Sequence, residues 1–211
     1  MSKDVRVRVS PGSQIKITMK VIFLDHDGVI CLSNNWGGRS KKWEKYLRDN
    51  PDLKGSSFSQ RPWNVRFDNF DPKAVKVLNK ILEDTGAEIV VSSDWKLHAT
   101  LEELGLVYED QGIIKKPIDI TPNMKDFDPE GAGLFSWKGW LEQARAIEIQ
   151  KWLEDHPEVT HWVSVDDLNM STDPDRRGDS DWGLTNFVLT PRSYEGIKQS
   201  GVKDRIKNFL K

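Results

Sequence analysis

The chain has little of what holds extracellular or membrane proteins together. One cysteine, Cys31, stands among 211 residues, so no intrachain disulfide can form and stability must come from a packed core. No apolar run approaches bilayer-spanning length, and the first residues lack the apolar centre of a signal peptide. A reducing cytoplasm is the expected setting. Charge of one sign is also missing: 31 basic and 33 acidic residues leave a formal net charge of -2. That excludes a wholly basic protein that coats nucleic acid, while leaving room for a local basic groove. There is no internal repeat and no low-complexity linker. With 37% hydrophobic residues and a mean hydropathy of -0.60, the chain fits one soluble domain with a sizeable core.

Against that plain background, one stretch stands out. Val21-Ile22-Phe23-Leu24 runs directly into Asp25-His26-Asp27-Gly28. Four apolar residues in a row read as a buried strand of a parallel sheet, and the ends of such strands are where open α/β sheets place their ligands. Two carboxylates there are costly unless a cation or a reaction needs them. An EF-hand calcium loop does not fit, because such loops lie between helices. The single residue between the acids should point the other way, since strand side chains alternate, which directs His26 away from them.

The rest of the chain alternates strand and helix. Residues 5–9 and 15–18 alternate apolar and polar around Pro11-Gly12-Ser13, which predicts an N-terminal β-hairpin within 1–19. Residues 31–70 are punctuated by Asn34-Asn35, Gly37-Gly38 and Pro51; they are expected to form a small cap-like insertion with a helix at about 40–49. Asp71-Pro72 opens a helix as N-cap and first helical residue. Ala74, Val75, Leu78, Ile81 and Leu82 form its apolar stripe, and Gly86 stops it. Ile89-Val90-Val91 is a second buried strand, leading to Ser92-Ser93-Asp94-Trp95. A short helix is expected at about 97–104, ending at Gly105, followed by an irregular connection over 112–136. A helix over about 138–155 leads to a strand at about 160–165, ending at Asp166-Asp167. A strand at 187–189 and a helical segment over about 194–210 complete a doubly wound parallel α/β sheet as a single domain, 1–211.

Three strands therefore end in polar groups: Asp25/Asp27, Ser92/Ser93 and Asp166/Asp167. In a parallel sheet these ends face one way and converge. A carboxylate nucleophile, a second carboxylate for protons, a hydroxyl and a cation for phosphate oxygens, and a divalent metal together match phosphoryl transfer from a monoester.

Asp25-His26-Asp27-Gly28-Val29 resembles the first motif, D-x-D-G-x, of the haloacid dehalogenase (HAD) superfamily of phosphatases. Ile89-Val90-Val91-Ser92 resembles the second motif and Val163-Ser164-Val165-Asp166-Asp167 the fourth, in the expected order over about 20–190. The Ser92-Ser93-Asp94-Trp95 run, and a helix ending in Trp152-Leu153 before the last acids, are most similar to the HAD domains of nucleic-acid repair proteins. The resemblance implies Asp25 as nucleophile and Asp27 as general acid and then base. It implies Ser92 as a donor to the phosphoryl group, and Mg2+ held by Asp25, the Asp27 backbone carbonyl, Asp166 and Asp167. The third-motif cation is chosen among Lys138, Arg145 and Lys151; Arg145, 21 positions before Asp166, fits the family's usual interval, with Lys138 in reserve. Ser93, Trp95 and Lys138 are candidate substrate contacts. The family's further acid after the fourth motif has no close match, the next being Asp173 and Asp175, and no large cap fits between the second and third motifs.

Other features admit bland readings. Cys31 is expected to be a packed small residue, since the C-x5-R of thiol phosphatases is absent. His156 and His161 lack a cysteine pair for zinc. Trp36, Trp43 and Trp95 can serve either as core or as a base-stacking surface, and Arg39 to Trp43 either as a nucleic-acid reader or as an ordinary helix face. The expected partner is a phosphorylated nucleotide or oligonucleotide carrying a 3′-phosphate, with no membrane involved. A 5′-nucleotidase or other small-molecule phosphatase, and a non-catalytic phosphate-binding module, stand as alternatives.

Overall fold

The run at Val21 to Leu24 lies on the central strand of the sheet. The structure, a computed structural model, describes residues 18–127, 140–172 and 182–211. The expected hairpin within 1–19 falls almost wholly outside these residues, as do Lys138, Asp173 and Asp175. Strand β1 (Met19–Leu24) leads to helix α1 (Gly38–Asp49) and the short α2 (Trp63–Arg66). Helix α3 (Pro72–Thr85), β2 (Glu88–Val91), α4 (Leu101–Asp110), β3 (Asp119–Ile120) and the short α5 (Met124–Phe127) follow. Then come α6 (Trp140–Glu154), β4 (Val159–Asp166), β5 (Phe187–Leu189) and α7 (Val202–Phe209). The five strands form one sheet in the order β3-β2-β1-β4-β5, and every pairing is parallel.

Alternation along β1 divides the core between two faces. Ile22 and Leu24 pack with residues of α3, α4 and α7, while Val21 and Phe23 pack with Ala146, Ile149 and Trp152 of α6. The sheet is thus covered on both sides, as its continuous apolar strands require. Helix α3 forms for the reasons legible in its sequence. The Asp71 carboxylate accepts from the Lys73 and Ala74 backbone N–H groups, the five stripe residues are buried, and Gly86 ends the helix at φ +71°.

Three expectations need correction. The helix placed at 97–104 lies at Leu101–Asp110, because Thr100 and Glu103 form a capping box that starts it later; Gly105 sits inside it, against the Lys116 stem. The irregular connection over 112–136 contains β3, whose two residues pair with Val90 and Val91. The C-terminal helical segment is split into a 3-10 turn (Gly196–Lys198) and α7, with Gly201 between them at φ +78°. The helix expected at about 40–49 begins at Gly38, where Asp68 accepts hydrogen bonds from the Gly37 and Arg39 backbone N–H groups. Among the described residues no helix is long and apolar enough to cross a membrane.

Candidate active site

Strand register builds the site. Leu24 lies level with Val91 on one side and Val165 on the other, so the next residues, Asp25, Ser92 and Asp166, emerge side by side. Two backbone bonds continue the ladder past the strands: Asp25 N–H to the Val165 carbonyl (3.1 Å) and Ser92 N–H to the Leu24 carbonyl (3.0 Å). The chain then turns sharply, with the His26 carbonyl accepting from the N–H groups of Val29, Ile30 and Cys31. Gly28 makes the turn at φ +73°, and a Cβ there would drive into the Asp167 carboxylate. Glycine is therefore required twice over, for conformation and for close approach.

Asp25 is 3% exposed and Asp166 is fully buried. Between them lies Arg145 of α6, whose Nη1 is 3.0 Å from Asp25 Oδ1 and donates to Asp166 Oδ2 at 3.0 Å. Its Nη2 donates to Asp94 at 2.6 Å. Burial works against the guanidinium charge, but Asp166, Asp25 and Asp94 outweigh it and hold Arg145 protonated. The acids are under-compensated. Burial first, then Asp166, raise Asp25 well above the usual carboxylate range despite Arg145. Burial raises Asp166 to about 6 against the pull of Arg145, and burial followed by Asp25 raises Asp167 to about 6.

Among the described residues, Asp25, Asp166 and Asp167 offer carboxylate oxygens that all lie within 4.8 Å of one another. Three carboxylates facing one guanidinium, with an all-oxygen donor set, suit a hard divalent cation such as Mg2+. The Asp27 carboxylate stands outside this group: its Oδ2 accepts from the Trp95 indole Nε1–H at 2.9 Å. The Ser92 and Ser93 hydroxyls are buried at the same strand end; Ser93 faces Asp25 and helps to lower its pKa, while Ser92 has no hydrogen-bond partner. A buried orphan donor has an unmet demand that a phosphoryl oxygen would fill.

The structure thus brings together Asp25, Asp27, Ser92, Ser93, Trp95, Arg145, Asp166 and Asp167 from four strand and helix ends. It changes the reading of the tryptophans. Trp95 is buried, with its ring stacked on Phe67 at 4.3 Å, Phe70 at 5.3 Å between centroids, and tilted against His26 at 4.6 Å. No face is left for a base, so Trp95 meets the site through its N–H. Trp43 is likewise buried beneath Arg61, whereas Trp36 remains about half exposed. His26 points away from the acids, as alternation requires, and shares a 2.7 Å hydrogen bond with Tyr108; burial, then Arg145, lower its pKa to about 3. Cys31 is buried and free, its thiol pushed up by burial and then by Asp27. His156 stacks on Trp152. Sequence reasoning missed Asp94 as a partner of Arg145, although it lies inside the Ser92 to Trp95 run. It also missed the Lys96–Glu148 ion pair (2.6 Å), for which no local signal exists.

A parallel sheet with a D-x-D-G turn on its central strand, an acid pair on the next and a hydroxyl on the third defines a HAD-superfamily domain of phosphatase type. More particularly, the family model described as the HAD domain in Swiss Army Knife RNA repair proteins matches residues 21–202. The chain belongs to that family. No curated protein and no solved structure matches it.

Proposed function

We propose that this protein is a Mg2+-dependent phosphomonoester hydrolase that removes 3′-phosphates from nucleotides or nucleic-acid ends in the cytoplasm, acting through an aspartyl-phosphate on Asp25. The observation that carries this reading is the position of Asp25. It is buried at the strand end, contacted by Arg145 and Ser93 and flanked by the unpartnered Ser92 hydroxyl, while Asp27 is held apart by Trp95.

In the first step an Asp25 oxygen attacks phosphorus and the ester P–O bond breaks, with Asp27 giving its proton to the departing alcohol oxygen. In the second, Asp27 takes a proton from water, whose oxygen attacks phosphorus; the bond to Asp25 breaks and inorganic phosphate leaves. Ser92 donates to the phosphoryl oxygens, and Arg145 aims Asp25 and adds positive charge beside the transferring group. Asp25, Asp166 and Asp167 would hold Mg2+, with the Asp27 carbonyl. Bound there, the ion would keep Asp25 ionised and neutralise charge on the phosphoryl oxygens. RNA repair in the family's description supports a nucleic-acid substrate. Residues 31–70, which carry Phe67 and Phe70 against Trp95, would act as a small substrate-reading cap beside this centre.

Phosphate release from a 3′-phosphorylated oligonucleotide with Mg2+ is the direct test. Asp25→Asn is expected to abolish it while leaving the melting temperature close to that of the parent; retained turnover would overturn the proposal. Faster release from 5′-mononucleotides than from the oligonucleotide would favour a small-molecule phosphatase instead.

A further inference from the structure

A cavity of about 210 Å3 opens beside Arg145, between the Asp94–Leu97 turn, α5 and the first turns of α6. Arg145 lines it, and the same guanidinium contacts Asp25 at 3.0 Å. Arg145 thus joins the position of a phosphoryl group at Asp25 to this opening. The walls are mostly apolar. Leu97 and Leu141 line it while 50% and 47% exposed, and Trp140 stands next to Leu141. Large apolar side chains left half in water around a concavity mark a surface that receives something. Six polar side chains share the lining, of which Arg145 and Asp94 pair with each other and Lys96 with Glu148. That leaves the Asn123 amide, which both donates and accepts, and the cation of Lys125.

We infer that this cavity receives the base of the terminal nucleotide whose phosphate is removed, which rests on the phosphatase reading above and names its substrate class. The volume lies below the roughly 300–1,000 Å3 of pockets for drug-sized ligands, so it suits one ring system and excludes a duplex. A nucleobase fits the mixed lining: its faces cover Leu97 and Leu141, and its edge meets the Asn123 amide as base edges meet Asn side chains elsewhere. Lys125 is placed for the next backbone phosphate. A sugar phosphate carries hydroxyls alone and would leave the apolar walls uncovered.

The test is calorimetric binding to full-length Asp25→Asn protein with Mg2+, using adenosine 3′-monophosphate and glycerol 2-phosphate. The nucleotide is expected to bind about tenfold tighter, the range that stacking of one base contributes. Adding Leu141→Asp should bring the two affinities together, and Leu97→Asp should act in the same direction; both positions are half exposed, so the fold is not at stake. Equal affinities in the Asp25→Asn protein, or a preference that survives both substitutions, overturn the base site even while the wild type releases phosphate from both compounds. Failure of the wild type to release phosphate from either compound overturns the phosphatase reading, and the base site with it.

Discussion

Asp25 and Asp27 stand two positions apart, yet their surroundings differ in kind. Around Asp25 the groups are charged: Asp166 and Asp167 within carboxylate reach, and one guanidinium shared with Asp166 and Asp94. The groups that hydrogen-bond the Asp27 carboxylate are neutral, the Trp95 indole N–H backed by stacked Phe67 and Phe70 and the Cys31 thiol, and the nearby His26 stays uncharged above about pH 3. The difference separates two requirements of one reaction. A nucleophile must be ionised and aimed; Arg145 aims Asp25 and favours its ionisation, which burial and Asp166 oppose. A group that gives and takes a proton must exist in both states, and neutral donors orient it without the charge that would lock it in one of them. The Asp25 side is also incomplete as protein alone, with more negative charge than Arg145 balances. The Asp27 side is complete without any ion.

Removing Arg145 should produce the largest effect after loss of Asp25 itself. Arg145→Met leaves Asp25 and Asp166 without their cation, and kcat/KM is expected to fall by about 10^3, the size seen when a transition-state donor is lost. Because Arg145 acts at the nucleophile and the phosphoryl group, the loss should be equal for p-nitrophenyl phosphate and for an alkyl phosphate. The buried acids left unpaired should also cost about 3 kcal/mol of stability at neutral pH. A loss confined to the alkyl ester would place Arg145 on the leaving-group side and erase the contrast.

The next effect is smaller and belongs to the same side. In the folded chain Asp166 and Asp167 hold their protons up to about pH 6, whereas their ordinary value is 3.8. Between about pH 4 and 6 the folded state therefore binds more protons than the unfolded one, and stability falls as pH rises through that window. Mg2+ needs the ionised carboxylates, so its stabilisation should run the opposite way. Thermal melts with Mg2+ at about one hundred times its Kd should rise by about 5–11 °C at pH 7.5, from roughly 2.7 kcal/mol of linkage, and clearly less at pH 5. An equal rise at both pH values would remove these acids as the metal site. His26 should add nothing to this change, since it is neutral at both.

How much of this was legible without coordinates follows from how local each signal is. The Asp71-Pro72 start, the stripe to Leu82 and the Gly86 stop are contained within one helix, and α3 forms as read. The convergence of Asp25, Ser92 and Asp166 follows from parallel strands sharing one direction, and the interval of 21 residues brought Arg145 to them. Strand β3 was not legible, because two residues, Asp119 and Ile120, are strand only by pairing with β2. Trp95 stays open in the sequence between core and base-stacking surface, because sequence does not tell which rings will cover an indole; Phe67 and Phe70 come from 28 and 25 positions away. Asp94 and the Lys96–Glu148 pair are contacts between elements, invisible until α6 is laid against the Asp94–Leu97 turn.

Trp95→Phe gives the smallest effect and the finest test, because it alters the neutral side by one donor and little else. Phe retains the stacking on Phe67 and Phe70 and removes only the N–H that Asp27 Oδ2 accepts. A hydrogen bond to a charged group contributes about 1.5–3 kcal/mol, and the part that orients Asp27 should appear as about a tenfold loss in kcat. Proton donation matters most when the leaving oxygen is basic. The loss should thus be full for an alkyl phosphate and nearly absent for p-nitrophenyl phosphate, with KM little changed. Asp27→Asn should repeat that pattern more steeply, by about 10^2 or more on the alkyl ester, and Trp95→Phe should add little on top of it, since the indole acts through that carboxyl. If Trp95→Phe lowers both substrates equally, or if the two losses multiply in full, the indole serves packing and Asp27 is oriented by something else.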